Sequence, residues 1–171
     1  PPPQPPPAPS PSPPQCLLLT GVFDGPLRDG LPKGVELYAS CDVPDLSRYG
    51  LNIFANGDGY NSEIFWTANL SAGTFVYVSK EADKFEEFFG FAPTGTSKEM
   101  DINGDDAIEL VIDGAVIDTF GDVSMDGTGE GWEYKNGWAS RLSGTGQDGP
   151  SFQLASWRLG KRELEGAATN A

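Results

Sequence analysis

The chain has 171 residues, with 25 acidic and 11 basic side chains, a formal net charge of −14 and no histidine. This length fits one domain with appendages. The acidic balance argues against nucleic acid and anionic membranes, which bind clustered Lys and Arg. The lack of histidine excludes Ser-His-Asp and Cys-His catalysis and every histidine metal site. We therefore expect neither an enzyme nor a cofactor, and partners that are cations, neutral polymers or other proteins.

Residues 1–15 contain ten prolines and few backbone donors. Such a run is predicted to form a polyproline II rod, which rises about 3.1 Å per residue and would reach roughly 45 Å here. Two interpretations stay open. The rod is either a stiff linker or stalk, or a docking element that lies on its own or a neighbouring domain. Pro-rich ligands of SH3 and WW domains dock in the second way.

The same segment resembles the hydroxyproline-rich glycoproteins of plant and green-algal walls. The resemblance rests on Pro-Pro-Pro at residues 1–3 and 5–7 and on Pro-Ser-Pro-Ser-Pro-Pro at residues 9–14. It implies hydroxylation and O-linked glycosylation of the prolines, sugars on Ser10 and Ser12, and a location in a wall or surface appendage. The prolines concerned are Pro1, Pro2, Pro3, Pro5, Pro6, Pro7, Pro9, Pro11, Pro13 and Pro14.

Two strands are predicted next, at residues 16–23 and 34–40, with a loop rich in Gly, Pro and Asp between them. If they pair antiparallel about residue 28 or 29, Cys16 and Cys41 fall opposite one another. This predicts a disulfide, and the alternative is two unpaired buried thiols. Such a link would stabilise the fold by roughly 3 kcal/mol in the chain-entropy model. A zinc site is not expected, because the chain has no His and no third Cys.

Three further strands are predicted at residues 51–55, 62–67 and 73–79, and the last of them has high strand propensity. A sequon for N-glycosylation, Asn69-Leu70-Ser71, precedes the last strand. It lies at a predicted turn, where Asn69 would be accessible to the glycosylation machinery. We therefore expect an N-linked glycan if the chain is secreted.

The pattern then changes to a helical period over residues 80–90, where Phe85, Phe88 and Phe89 recur at helical spacing. Ser79 is predicted to cap this helix and Gly90 to end it. No other segment shows a helical period, so one short helix is expected.

The strongest local signal is a hairpin over residues 107–112 and 115–120, joined by Asp113-Gly114. An Asp-Gly pair between alternating runs predicts a two-residue type I′ turn, because both central residues of that turn need positive φ. This hairpin is expected to lie on a sandwich core.

Side chains that offer oxygen ligands lead into this hairpin, most of them at alternate positions, as in the start of a calcium loop. They are Asp101, Asn103, Asp105 and Asp106. The glycine comes too early for an EF-hand, and the twelfth position is Ile112 where an EF-hand needs Glu. We therefore favour a polar turn that enters a strand and expect no metal site.

After residue 121 a second hairpin is predicted, with strands at residues 132–134 and 138–142 around Asn136-Gly137, and a closing strand at 152–159. Four tryptophans are interpreted first as core and edge packing, namely Trp66, Trp132, Trp138 and Trp157. Alternatively, such flat faces stack on sugars or prolines, and aromatic-lined grooves are what polyproline II rods dock into. An arm that docks on the next subunit makes a contact that does not close, and it generates a filament.

Residues 16–160 resemble the lamin-tail domain, in the version found in secreted and surface proteins of microbes. The resemblance is carried by Gly34-Val-Glu-Leu-Tyr38, by Asn103-Gly-Asp-Asp-Ala-Ile-Glu-Leu110 with the hairpin ending Ile117-Asp-Thr-Phe-Gly121, and by Trp138-Ala-Ser-Arg141 and Trp157. It implies an immunoglobulin-like β-sandwich that serves as a binding or structural module without catalysis. The acidic loops and the Pro-rich start depart from the nuclear lamins, so nuclear and DNA roles are not carried over.

Together these patterns predict a mostly β protein, an immunoglobulin-like β-sandwich with one short helix and an N-terminal polyproline II arm. The expected divisions are the arm at residues 1–15, the sandwich at 16–160 and a polar tail at 161–171. No signal peptide is visible, and the start at proline indicates a processed form or a fragment. The apolar runs are too short to insert into a membrane.

We therefore expect a secreted, glycosylated structural protein of a cell surface or cell wall. Its subunits would self-associate into a polymer, a filament or wall layer, by docking the Pro-rich arm on a neighbouring subunit. The alternative is a monomeric extracellular module that binds a ligand such as carbohydrate and stands on a Pro-rich stalk.

Overall fold

Ten β-strands and one α-helix form the regular structure of residues 15–169, which are the part of the chain described by this computed structural model. The side chains of residues 59–61 are not described. Residues 1–14 of the predicted arm at 1–15, with its hydroxyproline sites and Ser10 and Ser12, lie outside the described residues. The strands are β1 (Leu17–Leu27), β2 (Leu31–Ala39), β3 (Tyr49–Ala55), β4 (Asp58–Ile64), β5 (Phe75–Ser79), β6 (Gly95–Thr96), β7 (Ala107–Ile112), β8 (Ala115–Phe120), β9 (Trp138–Arg141) and β10 (Trp157–Gly160), and the helix α1 spans Asp83–Phe89.

The strands form two sheets that pack face to face. The larger sheet has the order β10-β9-β1-β2-β5-β6, and the smaller has the order β4-β3-β7-β8. All neighbouring strands are antiparallel except β5 and β6. The inward side chains of both sheets, such as Leu19, Leu37 and Leu110, form one hydrophobic core. The predicted mostly β sandwich with a single short helix is thus confirmed.

β1 and β2 form an antiparallel hairpin in the larger sheet. Leu17 pairs with Ala39 and Leu27 pairs with Leu31, so the chain reverses about residue 29, as predicted. The reversal is a short 3-10 turn at Arg28–Gly30. Cys16 and Cys41 lie beyond the open end of the hairpin and form the predicted disulfide, with their Cα atoms 5.0 Å apart.

The predicted hairpin at Asp113-Gly114 is also confirmed. The two residues adopt φ of 50° and 79°, and β7 pairs with β8 from Ile112 and Ala115 at the turn. Both positive φ values match the needs of a type I′ turn, which Asp and Gly tolerate. β7 also pairs with β3, and it is therefore an inner strand of the smaller sheet.

Helix α1 is shorter than predicted and starts later. Its N-cap residue is Ala82, which makes no side-chain cap hydrogen bond, so the predicted cap at Ser79 is wrong. Ser79 is the last residue of β5, and its hydroxyl donates instead to the carbonyl of Lys33 over 2.9 Å. Gly90 ends the helix as predicted, with φ of 80° and its N–H donating to the carbonyl of Glu86.

The predicted hairpin around Asn136-Gly137 is wrong. Asn136 does occupy a turn with positive φ, but residues 132–134 form no strand. Trp132 and Tyr134 are buried in the core instead, where both contact the ring of Phe120. β9 pairs with β1 on one side and β10 on the other, since the free edge of β1 offers it a long-range ladder.

One buried carboxylate joins the two sheets. Asp118 on β8 is fully buried, and its Oδ2 accepts the backbone N–H of Leu19 on β1 over 3.0 Å. Its Oδ1 accepts from the guanidinium of Arg141 on β9 over 2.6 Å and from the N–H of Asp148 over 2.9 Å. The Arg141 side chain is only 2 % exposed. The charge of Asp118 is therefore paired and hydrogen-bonded, as a buried charge requires.

Replacing both cysteines by serine is expected to lower the free energy of unfolding by about 3 kcal/mol, because the unfolded chain is then no longer cross-linked. Urea unfolding followed by tryptophan fluorescence measures this change. A reductant should destabilise the unaltered chain by a similar amount and leave the Cys16→Ser, Cys41→Ser variant unchanged. Equal stability of the two chains would show that the disulfide contributes nothing.

Candidate functional site

The outer face of the larger sheet carries the candidate site, and strand alternation determines which side chains it presents. On β2, Val35 and Leu37 are fully buried in the core, so Glu36 and Tyr38 point outward. On β5, Val76 and Val78 point inward, so Phe75 and Tyr77 stand beside the outward residues of β2. A row of aromatic and acidic side chains therefore faces away from the core.

Helix α1 covers one end of this outer face. Phe85 and Phe88 of the helix are buried, and the ring of Phe85 lies 5.9 Å from that of Phe23 on β1 and 5.8 Å from that of Tyr77. The amphipathic spacing of the helix thus packs phenylalanines onto the sheet. No helix of residues 15–169 covers the other end of the outer face.

The remaining surface forms a groove, which we call the outer trough. It consists of two adjoining hollows of about 230 Å³ and 450 Å³, which share Glu36 and Ser140 in their linings. The smaller hollow is lined by Tyr77, Phe89, Trp138 and Leu164 among others. The larger is lined by Leu18, Tyr38, Phe75 and Leu142 among others.

Apolar surface is left open in the larger hollow. Phe75 is 48 % exposed and Leu142 is 43 % exposed, and the rings of Phe75 and Tyr38 lie 4.9 Å apart. Two neighbouring rings of this kind present flat faces on which an apolar ring can stack. The outer trough is therefore suited to extended ligands with flat, weakly polar faces.

Glu36 lies where the two hollows meet. Its Oε1 accepts from the hydroxyl of Thr20 over 2.9 Å, and its Oε2 accepts from the hydroxyl of Tyr77 over 2.8 Å. Among residues 15–169, Glu36 forms no ion pair with a basic side chain. The half-buried carboxylate is thus an oriented acceptor at the centre of an otherwise aromatic trough.

Burial, the hydrogen bond to the Glu36 carboxylate and the negative charge of that carboxylate together raise the pKa of the Tyr77 hydroxyl to about 12. Tyr77 therefore stays neutral and donates to Glu36 across the physiological range of pH. This fixes the ring of Tyr77 against the floor of the trough.

Three of the four tryptophans lie in the core or in the outer trough. Trp138 lines the outer trough, with the guanidinium of Arg158 5.3 Å from its ring. Trp132 and Trp157 are buried in the core around Phe120. Trp66 is 38 % exposed and lies elsewhere, beside Phe65. Core packing thus accounts for two tryptophans and the trough for one.

Asn69 lies in an exposed, irregular segment between β4 and β5. The next residue, Leu70, pairs with Val43 in an isolated bridge that holds the segment to the domain. The side chain of Asn69 is therefore accessible on a backbone that is held in place, as a glycan acceptor requires.

The acidic residues before β7 act as local hydrogen-bond acceptors. Asp106 is fully buried, and its carboxylate accepts the N–H of Asn103 over 2.8 Å and that of Asn56 over 3.1 Å. Burial raises the pKa of Asp106. Asp101 is exposed and pairs with Lys80. Within the described part of the chain, no three His, Cys, Asp or Glu residues are grouped so as to hold a metal ion.

Comparisons of the chain with models of protein families, with curated proteins and with solved structures found no match. The resemblances to lamin-tail domains and to hydroxyproline-rich glycoproteins therefore stay predictions. In residues 15–169 no helix is long and apolar enough to cross a membrane.

Sequence reasoning identified Trp138 but missed most of the outer trough. The available signal was the alternation of apolar and polar residues over 34–40, which puts Glu36 and Tyr38 on one face of a strand. It did not show that Phe75 and Tyr77 would stand next to them. That juxtaposition depends on the pairing of Glu36 with Tyr77 and of Tyr38 with Phe75 across β2 and β5.

Replacing Glu36 by Gln is expected to lower the pKa of Tyr77 below about 12, because the variant removes the negative charge beside the phenolate. Titration of the tyrosine ring carbons by NMR measures the midpoint. Tyr77 ionises near pH 10 in the unfolded chain and near pH 12 in the folded chain. The stability that its neutral hydroxyl contributes is therefore fully present below about pH 10 and is lost as the pH rises to about 12.

The titration of Tyr49 is the internal control. Its pKa is raised by burial, and it lies on β3 of the other sheet, away from Glu36. The midpoint of Tyr49 should therefore not move in the Glu36→Gln variant. An unchanged midpoint for Tyr77 would contradict the role of Glu36 in the trough.

Proposed function

We propose that this protein is an extracellular, glycosylated structural subunit that polymerises by laying the Pro-rich arm of one copy in the outer trough of the next. The observation that carries the proposal is the outer trough itself. It presents exposed aromatic and apolar side chains, Phe75 and Leu142 above all. The first 15 residues of the same chain are rich in proline, and Pro-rich segments bind in aromatic-lined grooves.

Charge favours the arm as the segment that approaches a second copy. All 25 acidic and 11 basic residues lie after residue 15, so the net charge of −14 belongs to the rest of the chain. Two such acidic domains repel one another. The arm carries no charged side chain, so it can enter a neighbour's trough without adding to that repulsion.

The direction of the chain favours docking on a neighbour over docking on the same copy. The larger hollow starts at Leu18, directly after the arm, and the trough continues along β1 to Phe23. An arm that lay in its own trough would have to reverse direction between residues 13 and 17. That stretch is Pro-Pro-Gln-Cys-Leu with no glycine, and Cys16 is fixed by the disulfide.

A contact between the arm of one copy and the trough of the next is heterologous, so it adds subunits without closing unless the geometry forms a ring. This generates a filament or layer from one kind of subunit. The disulfide fits an oxidising compartment outside the cytosol, and the exposed sequon at Asn69 fits passage through a glycosylating one.

Carbohydrate binding is the second candidate function. Sugar rings also stack on aromatic faces, and the Glu36 carboxylate is an acceptor for sugar hydroxyls at the centre of the trough. On that hypothesis the protein is a monomer on a Pro-rich stalk, and removal of the arm leaves binding intact.

Deleting residues 1–15 is expected to leave a monomer, because the segment that enters the trough is gone. Phe75→Ala should raise the concentration needed for assembly about tenfold, since loss of a central aromatic contact costs more than about 1 kcal/mol. Sedimentation velocity and electron microscopy of purified chains measure both effects.

Ile64→Ala is the matched control, because Ile64 is also an exposed apolar residue, at 62 %, but lies on β4 of the other sheet. Assembly should not change in this variant. Polymers formed by the chain without its arm would overturn the arm-in-trough proposal. A monomeric intact chain whose sugar binding is lost in Phe75→Ala would favour the carbohydrate-binding function.

The Asn69→Gln variant is expected to lose one N-linked glycan when the chain is secreted from eukaryotic cells, because Asn69 is the acceptor of an exposed sequon. Intact mass before and after enzymatic removal of N-glycans measures occupancy. A secreted chain with the bare mass of 18.2 kDa would contradict both the N-linked and the O-linked modifications proposed here.

A further inference from the structure

A buried lysine lies at the closed end of the β1–β2 hairpin, far along the strands from the disulfide. The Lys33 side chain is 7 % exposed, and its Nζ donates to the side-chain carbonyl Oδ1 of Asn103 over 2.6 Å. The nearest carboxylate oxygens, on Asp24 and Asp101, are each 3.8 Å from Nζ, beyond hydrogen-bond distance. The closest partner of the enclosed amine is therefore a carboxamide.

The backbone holds these three groups in place. Asp24 is the cross-strand partner of Lys33, and its Oδ2 accepts the N–H of Asn136 over 2.9 Å. The N–H of Asn103 donates to the buried Asp106, which fixes the loop that carries the carboxamide. Asp101 is drawn away by Lys80, whose Nζ lies 2.6 Å from its Oδ1. Amine, carboxamide and carboxyl group thus meet on rigid supports.

We infer that Lys33 and Asn103 join in an intramolecular isopeptide bond, which forms without an enzyme once the chain has folded. The geometry supplies the three groups that such a condensation uses: a nucleophilic amine, an electrophilic amide carbon and a carboxyl group beside them for proton transfer. The carboxamide needs no chemical activation, because two reactants held side by side in the fold have a far higher effective concentration than the same groups free in solution.

The reaction needs no other reagent. The ammonium of Lys33 gives a proton to Asp24, and the free amine attacks Cγ of Asn103. The bond between Nζ and Cγ forms and the bond between Cγ and Nδ2 breaks. Asp24 passes its proton to the departing nitrogen, takes up the proton that Nζ loses, and releases that proton to solvent. One amine and one primary amide become one secondary amide and ammonia, with no change of oxidation state. Asn103 is exposed, so ammonia can leave to solvent.

Asp24 is fitted to carry that proton. Its side chain is 5 % exposed, and burial raises the pKa of its carboxyl group while the hydrogen bond from Asn136 lowers it. A neutral carboxylic acid is therefore within reach in the folded state, next to Lys33. In this step Asp24, whose Oδ1 lies 3.8 Å from Nζ, acts as general acid and base.

The bond would link β2 of the larger sheet to the loop that leads into β7 of the smaller sheet, across a sequence separation of 70 residues. The disulfide of Cys16 and Cys41 closes the open end of the β1–β2 hairpin, and the isopeptide bond would attach its closed end to that loop. This inference does not depend on polymerisation, although a cross-linked domain suits a subunit that bears load.

The mass of the full 171-residue chain, expressed in bacteria so that it carries no glycans, tests the inference. After reduction of the disulfide, the measured mass is expected to fall below the sequence mass by one molecule of ammonia. A tryptic digest should contain a branched peptide that joins Lys33 to Asn103, with no cleavage after Lys33. A measured mass equal to the sequence mass, with no loss of ammonia, would overturn the inference.

Variants separate this bond from a succinimide at Asn103-Gly104, which also releases ammonia. Lys33→Arg should restore the full sequence mass, whereas a succinimide would still form in that variant. Should that chain fail to fold, the branched peptide of the unaltered chain makes the distinction, because a succinimide forms no cross-link, and the exposed-loop variant Asn103→Ser should abolish both the peptide and the loss of ammonia. Lys80→Arg is the matched control, because Lys80 contacts Asp101 but not Asn103, and it should keep the loss. Asp24→Asn should slow bond formation about 100-fold or more. Persistent loss of ammonia in Lys33→Arg, or a digest without the branched peptide, would overturn the inference.

Discussion

The hydrogen bonds of Asp118 are the interaction on which the sandwich depends. This carboxylate is fully buried on β8, yet it accepts from the backbone of Leu19 on β1 and from the guanidinium of Arg141 on β9. It therefore links the smaller sheet to the larger one through directional hydrogen bonds. The hydrophobic core alone does not fix the position of one sheet relative to the other. Arg141 also reaches the carbonyl of Leu19 over 2.7 Å, which fixes β9 against β1. A buried pair satisfied on all sides specifies one arrangement of the sheets.

That arrangement makes the β1–β2 hairpin the common support of the outer trough, the disulfide and the contact between Lys33 and Asn103. Its outer face forms the floor of the outer trough, where Glu36 is held between Thr20 and Tyr77. Its open end carries the disulfide, and its closed end brings Lys33 to Asn103. A rigid hairpin with fixed ends is a suitable base for a surface that binds an extended partner, since little conformational entropy is left to lose on binding.

Local signals predicted the parts of the fold in which a few residues determine their own backbone. Asp113-Gly114 turned as predicted, because both residues tolerate positive φ, and Gly90 ended the helix for the same reason. The prediction failed at residues 132–134, where alternation typical of a strand belongs to a segment that fills the core. Trp132 and Tyr134 pack around Phe120 there, and burial of large rings outweighs strand propensity.

The sequence by itself determined the class of the protein and its outline. Alternating runs, turn residues and paired cysteines predict a β-sandwich with one helix and a disulfide. Each of these signals depends on a few neighbouring residues or on the antiparallel pairing of two strands about one turn. Tertiary structure alone decided where chemistry-bearing side chains meet. The outer trough depends on β5 lying beside β2, and the contact of Lys33 with Asn103 joins residues 70 positions apart. Such contacts arise from sheet order and packing, which no local pattern encodes.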